Sequence, residues 1–344
     1  MEVKQNTLYL TTSGNYVGRD HLTLRIEVER ELKLAVPVHH IESICSFGQN
    51  TFSPAALQLC WEHGIAVNFF SENGFFQGRW EGVANTSVGL RRSQYRAADN
   101  ETACAMVARA CIAGKLQNSR VSLLRSARET ESEIEAERLK TCAGEFANIL
   151  RWLEHDAETV AQMRGYEGQA ASLYFACFDL HLRQQREDFA FSTRTRRPPR
   201  DRINCLLSFL YGLLRHDCIA ALTATGLDPF VGFLHTERPA RPALALDIME
   251  EFRPLMSDRL AVTMINRKQI TKDDFVVREG GACEFTPGGK RKIITAYQTR
   301  KQDTVIHPLL GQEFRYGQLM LVQSRILARY LRGDISQYLP CVLK

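Results

Sequence analysis

The sequence is most easily approached through what it lacks. None of its 10 cysteines belongs to a CxxC pair. In a chain of 344 residues, scattered cysteines of this kind are expected to be reduced, mostly buried thiols rather than a disulfide scaffold. The opening stretch MEVKQNTLYL has no basic segment followed by an apolar one, so it does not read as a secretion signal. No run approaches the roughly 20 apolar residues of a membrane span, and the expected location is the cytoplasm, with no membrane contact. Internal repeats and low-complexity tracts are absent. The run TPGGKRK fails as a phosphate loop: no glycine stands six residues before Lys290, and Arg291 occupies the place of the magnesium-binding Ser or Thr.

What is present is a globular composition, 44% hydrophobic with a formal net charge of +5, in which basic residues are concentrated locally. The length exceeds that at which a single core usually stops growing, so two domains are expected. Up to about Trp80, apolar residues alternate with polar ones, as in LTLRIEV (Leu22, Leu24, Ile26, Val28) and KLAVPV (Leu34, Val36, Val38). A period of two predicts short strands. One short helix is expected near Ser53 to His63, and Asn73-Gly74 between IAVNFFSE and FFQGRW predicts a hairpin turn. After Arg96 the apolar spacing lengthens to three and four, which predicts helices. The expected fold is α+β: a small β-sandwich-like N-terminal domain over 1–90, a linker over 91–100 carrying Arg91, Arg92 and Arg96, and a larger all-α domain over 101–344.

Three segments could carry chemistry. In RGYEGQAASLYFACF, Glu167 lies between Gly165 and Gly168 at the expected start of an apolar helix. An ionised glutamate is costly to bury without a partner or a metal, although the positive end of the helix dipole alone would account for its position. In GLDPFVGFLHTERPARPALALDIMEEFRP, Asp228-Pro229 ends a helix, Pro239 and Pro242 keep His235 on a constrained loop, and a new helix is expected from near Ala243. On it Asp247, Glu250 and Glu251 stand at i, i+3 and i+4, so their charges repel unless water or a bound cation relieves them. Two carboxylates and an imidazole form a mixed donor set that suits Mn²⁺ well and Mg²⁺ acceptably, while a lone histidine is more often structural than ligating. The third segment, FAFSTRTRRPPRDRIN, gathers Arg194, Arg196, Arg197, Arg200 and Arg202 around Pro198-Pro199. A solvated loop would hold them, and so would phosphate oxygens gripped by guanidinium forks.

Taken in order, the turn around Glu167, RRPPRDRIN leading into LSFLYGLL, and LHTERPARPALALDIMEEFRP resemble the Cas1 family of CRISPR-associated endonucleases, in the form accompanying compact type I (type I-C-like) systems. NTLYLTTSGNYVGRD, HHIESICSFG and RRSQYR extend the resemblance over nearly the whole chain. It implies an N-terminal β-domain that forms a homodimer and a helical catalytic domain in which Glu167, His235 and Glu250 hold Mg²⁺ or Mn²⁺. Glu250 departs from family members that have Asp there, and Asp247 is carried over as a nearby acidic supporter or alternative ligand. Arg238 and Arg253, each three positions after a ligand, are implied as DNA phosphate contacts beside the arginine cluster, and Tyr211 as a positioning residue. The implied reaction inserts new spacers into a CRISPR array by attack of a DNA 3′-hydroxyl on a repeat phosphodiester. Its implied partners are double-stranded and branched DNA and a small ferredoxin-like subunit, Cas2. Protons would compete with the metal for His235, and DNA binding would be salt-dependent. Two other readings stand beside it: a non-enzymatic DNA-binding dimer with structural carboxylates, and a nuclease that acts only on branched DNA.

Overall fold

The computed structural model describes residues 7–11, 13–41, 43–71, 76–80, 82, 88–196 and 198–343. The chain divides into two compact units, one of Met1–Asn85 with Glu284–Arg291, the other of Thr86–Cys283 with Lys292–Lys344. The fold is α+β.

Among the described residues the first unit holds two four-stranded sheets. One is ordered β1 (Thr7–Leu10), β5 (Ser43–Phe47), β7 (Ala66–Phe70), β8 (Phe76–Trp80); the other runs β4 (Glu31–Pro37), β3 (Thr23–Val28), β2 (Asn15–Asp20), β6 (Thr51–Phe52). The alternation in LTLRIEV delivers Leu24 and Ile26 to the core, with Val17 opposite Ile26 on the neighbouring strand. Strands β1, β5 and β7 are parallel, and β5 is buried on both faces from Ile44 to Phe47, as parallel strands usually are. The crossover between β5 and β7 uses helix α1 (Pro54–Glu62), capped by Ser53, whose hydroxyl accepts from the Ala56 N–H at 3.1 Å. Strands β7 and β8 pair antiparallel from Val67↔Trp80 to Phe70↔Phe76; their Asn73-Gly74 connection lies outside the described residues.

Beyond residue 88 the chain is chiefly helical. Residues 91–98 of the expected linker lie in α2 (Val88–Ala98), followed by α3 (Glu101–Glu129), α4 (Glu133–His155), α5 (Val160–Ala176), α6 (Arg202–Thr225) and α7 (Ala243–Phe252). Then come α8 (Arg259–Asn266), α9 (Pro287–Gln302) and α10 (Tyr316–Leu331). Short strands at Phe275–Val277 and Cys283–Phe285, and an antiparallel pair Thr304–Ile306 with Glu313–Arg315, interrupt these helices. This part is therefore not wholly α: three-residue strands rich in β-branched residues, such as TVI, are too short to show a period. Helix α6 corrects the expectation of no spanning segment, being long and apolar enough to cross a membrane. Two thirds of its apolar window (67%) is buried inside the fold, where it serves as a core helix. All ten cysteines are free thiols.

Candidate active site in the helical unit

Glu167 lies in the middle of α5, not at its start. The helix begins at Thr159, whose hydroxyl accepts from the Gln162 N–H (3.3 Å) while the Gln162 side chain accepts from the Thr159 N–H (2.9 Å). That capping box starts the helix earlier than the glycines suggested, and Gly165 and Gly168 are tolerated inside it on its exposed side. Helix-dipole stabilisation therefore does not explain Glu167. Its partner is Lys115 on α3, whose ammonium donates to Glu167 Oε1.

His235 is set by a tightly stapled loop. Helix α6 ends at the left-handed Gly226 (φ 91°), two residues before the expected Asp228-Pro229 break. Gln94 of α2 then holds the loop by three bonds of 2.8 Å, accepting from the Asp228 N–H and donating to the Asp228 and Val231 carbonyls. At Gly232 a Cβ would lie 2.8 Å from Asp247 Oδ2 and 2.9 Å from Ala243 Cβ, so only glycine permits the loop to close against α7. Asp247, fully buried, gathers the next three residues of the loop. Its Oδ2 accepts from the N–H groups of Phe233 (2.6 Å) and Leu234 (3.0 Å), and its Oδ1 from the His235 N–H (2.9 Å) and Nδ1 (2.7 Å).

The acidic triplet of α7 does not form one face. Asp247 points into the His235 loop. Glu251 points the other way, where it accepts from Tyr338 Oη, from Gln323 Nε2 (3.0 Å) and from the Cys341 N–H (2.8 Å). Only Glu250 faces the cavity. The expected mutual repulsion is thus relieved by separate partners, and Asp247, carried over as an alternative ligand, has both oxygens engaged by the loop.

Glu250 is 3% exposed, and its Oε2 lies 2.7 Å from Lys115 Nζ without a well-angled hydrogen bond. Its Oε1 lies 3.1 Å from Arg253 Nη2 and 3.9 Å from His235 Nε2. Burial alone would raise this carboxyl, but the Arg253 and Lys115 cations outweigh it and hold it at about 2. After α7 the chain widens into a π-turn over Arg253–Asp258, where Pro254 has no N–H to give. The turn presents Arg253, stacked 4.9 Å over the Tyr211 ring, and Asp258, which accepts from Tyr211 Oη at 2.6 Å. Burial pushes Asp258 up to about 6, and burial together with that carboxyl pushes the Tyr211 phenol well above its ordinary value.

Lys115, Glu167, Tyr211, His235, Glu250 and Asp258 line one cavity of about 320 Å³. Among the described residues no three His, Cys, Asp or Glu side chains stand gathered as a metal-binding group. The Lys115 ammonium sits between two of the three implied ligands. The donors nonetheless suit a divalent ion: a buried carboxylate oxygen lacking a hydrogen bond, a second carboxylate beside the same cation, and an imidazole whose Nδ1 is held by Asp247 so that Nε2 faces Glu250.

The arginines separate into distinct roles. Arg194 is not a free phosphate fork, because it donates to the Thr195 carbonyl, to Asn204 Oδ1 (2.7 Å) and to Ser208 Oγ (3.0 Å). Asn204 is what folds the arginine segment onto α6, and Arg202 is likewise tied to the Asp188 carbonyl at 2.6 Å. Arg196 is exposed and lines the cavity, Arg200 and Arg238 are exposed outside its lining, and Arg197 lies outside the described residues. Arg164 and Arg241, not singled out from sequence, line the cavity too. Sequence reasoning also missed Lys115 and Asp258. A signal for Lys115 was available: its helical neighbours Cys111, Ile112, Asn118 and Ser119 are all buried, so it places a charge on a buried stripe.

A family model described as CRISPR associated protein Cas1 matches residues 8–299. The chain belongs to the Cas1 family. It is similar to the CRISPR-associated endonuclease Cas1 1 of Moorella thermoacetica, 44% identical over 340 residues that cover 99% of each chain. Among solved structures this Cas1-family fold is similar to a casposase bound to integration product, with a TM-score of 0.84 at 23% identity, covering 97% of this chain and 93% of that one. It is also similar to a Cas6-RT-Cas1–Cas2 complex, with a TM-score of 0.83 at 24% identity, covering 100% of this chain and 37% of that one.

Proposed function

We propose that this Cas1-family protein is a metal-dependent DNA endonuclease and strand transferase of CRISPR adaptation, acting in the cytoplasm. It joins a DNA 3′-hydroxyl to a repeat phosphodiester and so inserts new spacers. The observation that carries this reading is the buried Glu250 carboxylate meeting Glu167 and His235 around one cavity walled by cations. Glu167, Glu250 and His235 Nε2 would hold Mg²⁺ or Mn²⁺, which supplies Lewis-acid charge to a phosphodiester.

The chain's own groups prepare the site for that ion and for DNA. Asp247 keeps the His235 ring turned toward Glu250. Arg253, clamped between Glu250 and the Tyr211 ring, offers a fixed guanidinium to a phosphate oxygen. Arg196, Arg164 and Arg241 add positive charge on the cavity wall, and Arg200 and Arg238 extend it along the surface. Tyr211 keeps its proton and donates a hydrogen bond through it to Asp258, so it positions Asp258 and Arg253 and is a poor nucleophile. No covalent enzyme intermediate is required, because the incoming hydroxyl takes the place of the departing strand end.

The N-terminal unit would form the homodimer, and double-stranded or branched DNA and a Cas2 subunit would complete the assembly. The test is an integration assay with short duplexes, a supercoiled repeat plasmid and Mn²⁺, with and without Cas2. Joined strands are expected from the wild type and none from Glu167→Ala or His235→Ala, with DNA binding retained. Joining that survives either substitution would overturn the assignment.

A further inference from the structure

The position of Lys115 carries an inference that rests on the metal-binding reading and extends it. The ammonium reaches Glu167 on α5 and Glu250 on α7 at once, linking carboxylates 83 positions apart in sequence, and its side chain is 16% exposed. Glu250 Oε1 has its own cation in Arg253, so Lys115 is the group that answers Oε2 and Glu167 Oε1. Glu167 and Glu250 are also the two carboxylates that would hold a divalent ion. Two cations cannot share them, since like charges a few ångströms apart in a half-buried site repel strongly. The two cationic residues also differ in how far they can yield. Arg253 is a planar fork held between Glu250 and the Tyr211 ring, whereas Lys115 carries a compact charge on four flexible methylenes and opens onto the cavity.

We propose that Lys115 is a resident counter-cation that holds Glu167 and Glu250 in place without metal, and that the divalent ion binds by expelling its ammonium into the cavity. The carboxylates are thereby kept paired and oriented in the metal-free protein instead of being pushed apart by their own charge. The same arrangement weakens metal binding, because each ion that enters must break two ion pairs. Once expelled, the ammonium stands free in a cavity that Arg196 and Arg241 also line, where a phosphate can receive it.

Two measurements test this. Mn²⁺ binding is followed by calorimetry and by thermal unfolding on the wild type, Lys115→Met and Lys115→Arg, with Glu167→Gln and His235→Ala as site controls. Lys115→Met is expected to unfold at lower temperature without metal, to bind Mn²⁺ at least about tenfold more tightly, and to show the larger Mn²⁺-induced rise in Tm. Lys115→Arg, whose larger fork yields less readily, is expected to bind Mn²⁺ more weakly than the wild type. In wild-type protein, reductive methylation mapped by mass spectrometry is expected to label Lys115 faster when Mn²⁺ is present; this arm decides the matter if Lys115→Met does not fold. Unchanged or weaker Mn²⁺ binding by a folded Lys115→Met, or Lys115 labelling indifferent to Mn²⁺, overturns the proposal while leaving the metal site intact. Mn²⁺ binding that Glu167→Gln and His235→Ala do not alter would instead remove the metal-site reading itself.

Discussion

Asp247 grips His235 twice with a single oxygen: Oδ1 accepts both the His235 backbone N–H at 2.9 Å and Nδ1 at 2.7 Å. A ring nitrogen that donates to a carboxylate carries the hydrogen, which leaves the lone pair on Nε2, facing Glu250. Replacing Asp247 with Asn keeps the shape but removes the charge and lets the ring adopt the other tautomer. Asp247→Asn is expected to lower Mn²⁺ affinity by about 10- to 100-fold, the usual consequence of losing a group that orients a metal ligand. Calorimetry on the folded variant checks it, and an affinity equal to wild type would remove Asp247 from this role.

Gln94 acts at greater distance. It is fully buried and makes three bonds to the loop that ends at His235. Truncation in Gln94→Ala strands three backbone groups at about 1 kcal/mol or more each. The expected result is faster hydrogen exchange at residues 228–235 and a lower Tm. Exchange rates in that loop matching the wild type would show that other contacts suffice.

His181 gives a pH dependence of defined sign. Its ring is buried beside Ser126 Oγ at 2.7 Å, and burial, assisted by Arg183, lowers its pKa from 6.5 to about 4. The unfolded chain then binds a proton that the folded chain refuses. Stability present at neutral pH is lost as pH falls through 6.5 toward 4, with an upper bound of roughly 3 kcal/mol. Urea unfolding at pH 7 and pH 4.5 should show His181→Gln losing less stability than the wild type over that interval. An equal loss in both would exclude His181 as the cause.

Glu251 ties α7 to residues 338–341. It is fully buried, and burial pushes its pKa up to about 7 even though Tyr338, Cys341 and Gln323 all donate to it. Glu251→Ala would leave the Tyr338 hydroxyl and the Cys341 N–H without an acceptor, while Gln323 Nε2 keeps Tyr338 Oη and the Leu339 carbonyl, at an expected loss of about 2–4 kcal/mol. Limited proteolysis should then cut the 338–343 segment, which the intact protein protects. Resistance equal to wild type would show that this segment is held by its apolar contacts alone.

The residues behind these predictions are unequally visible in the sequence. Strands, the Ser53-capped helix and the start of α7 near Ala243 were legible because period and capping are local properties. Glu167, His235 and Glu250 each had a plain structural explanation taken singly and were picked out as a set by the resemblance to the Cas1 family; the fold brings them to one cavity. Spacing along α7 could not reveal that Asp247, Glu250 and Glu251 leave in three directions, since that depends on the loop, α3 and the 338–343 segment, which approach from distant parts of the chain. The start of α5 was placed at the glycines flanking Glu167, whereas the Thr159–Gln162 box starts the helix earlier and carries it through Gly165 and Gly168. Arg194, expected in the phosphate-gripping cluster, is instead held by Asn204, ten residues on, and by Ser208, contacts that the arginine-rich spacing does not reveal.

Asn118 of α3 gives this architecture an order in time. Its amide donates at 2.9 Å to both the Glu251 and Cys341 carbonyls, and it accepts the Leu343 N–H at 3.0 Å. During synthesis α3, α5 and α7 leave the ribosome well before residues 338–343, so a nascent chain can gather the three candidate ligands while the back of α7 remains open. The wall behind Glu250 closes only when residues 338–343 arrive, so a nascent chain that ends short of them holds its three candidate ligands against an α7 whose back is still open.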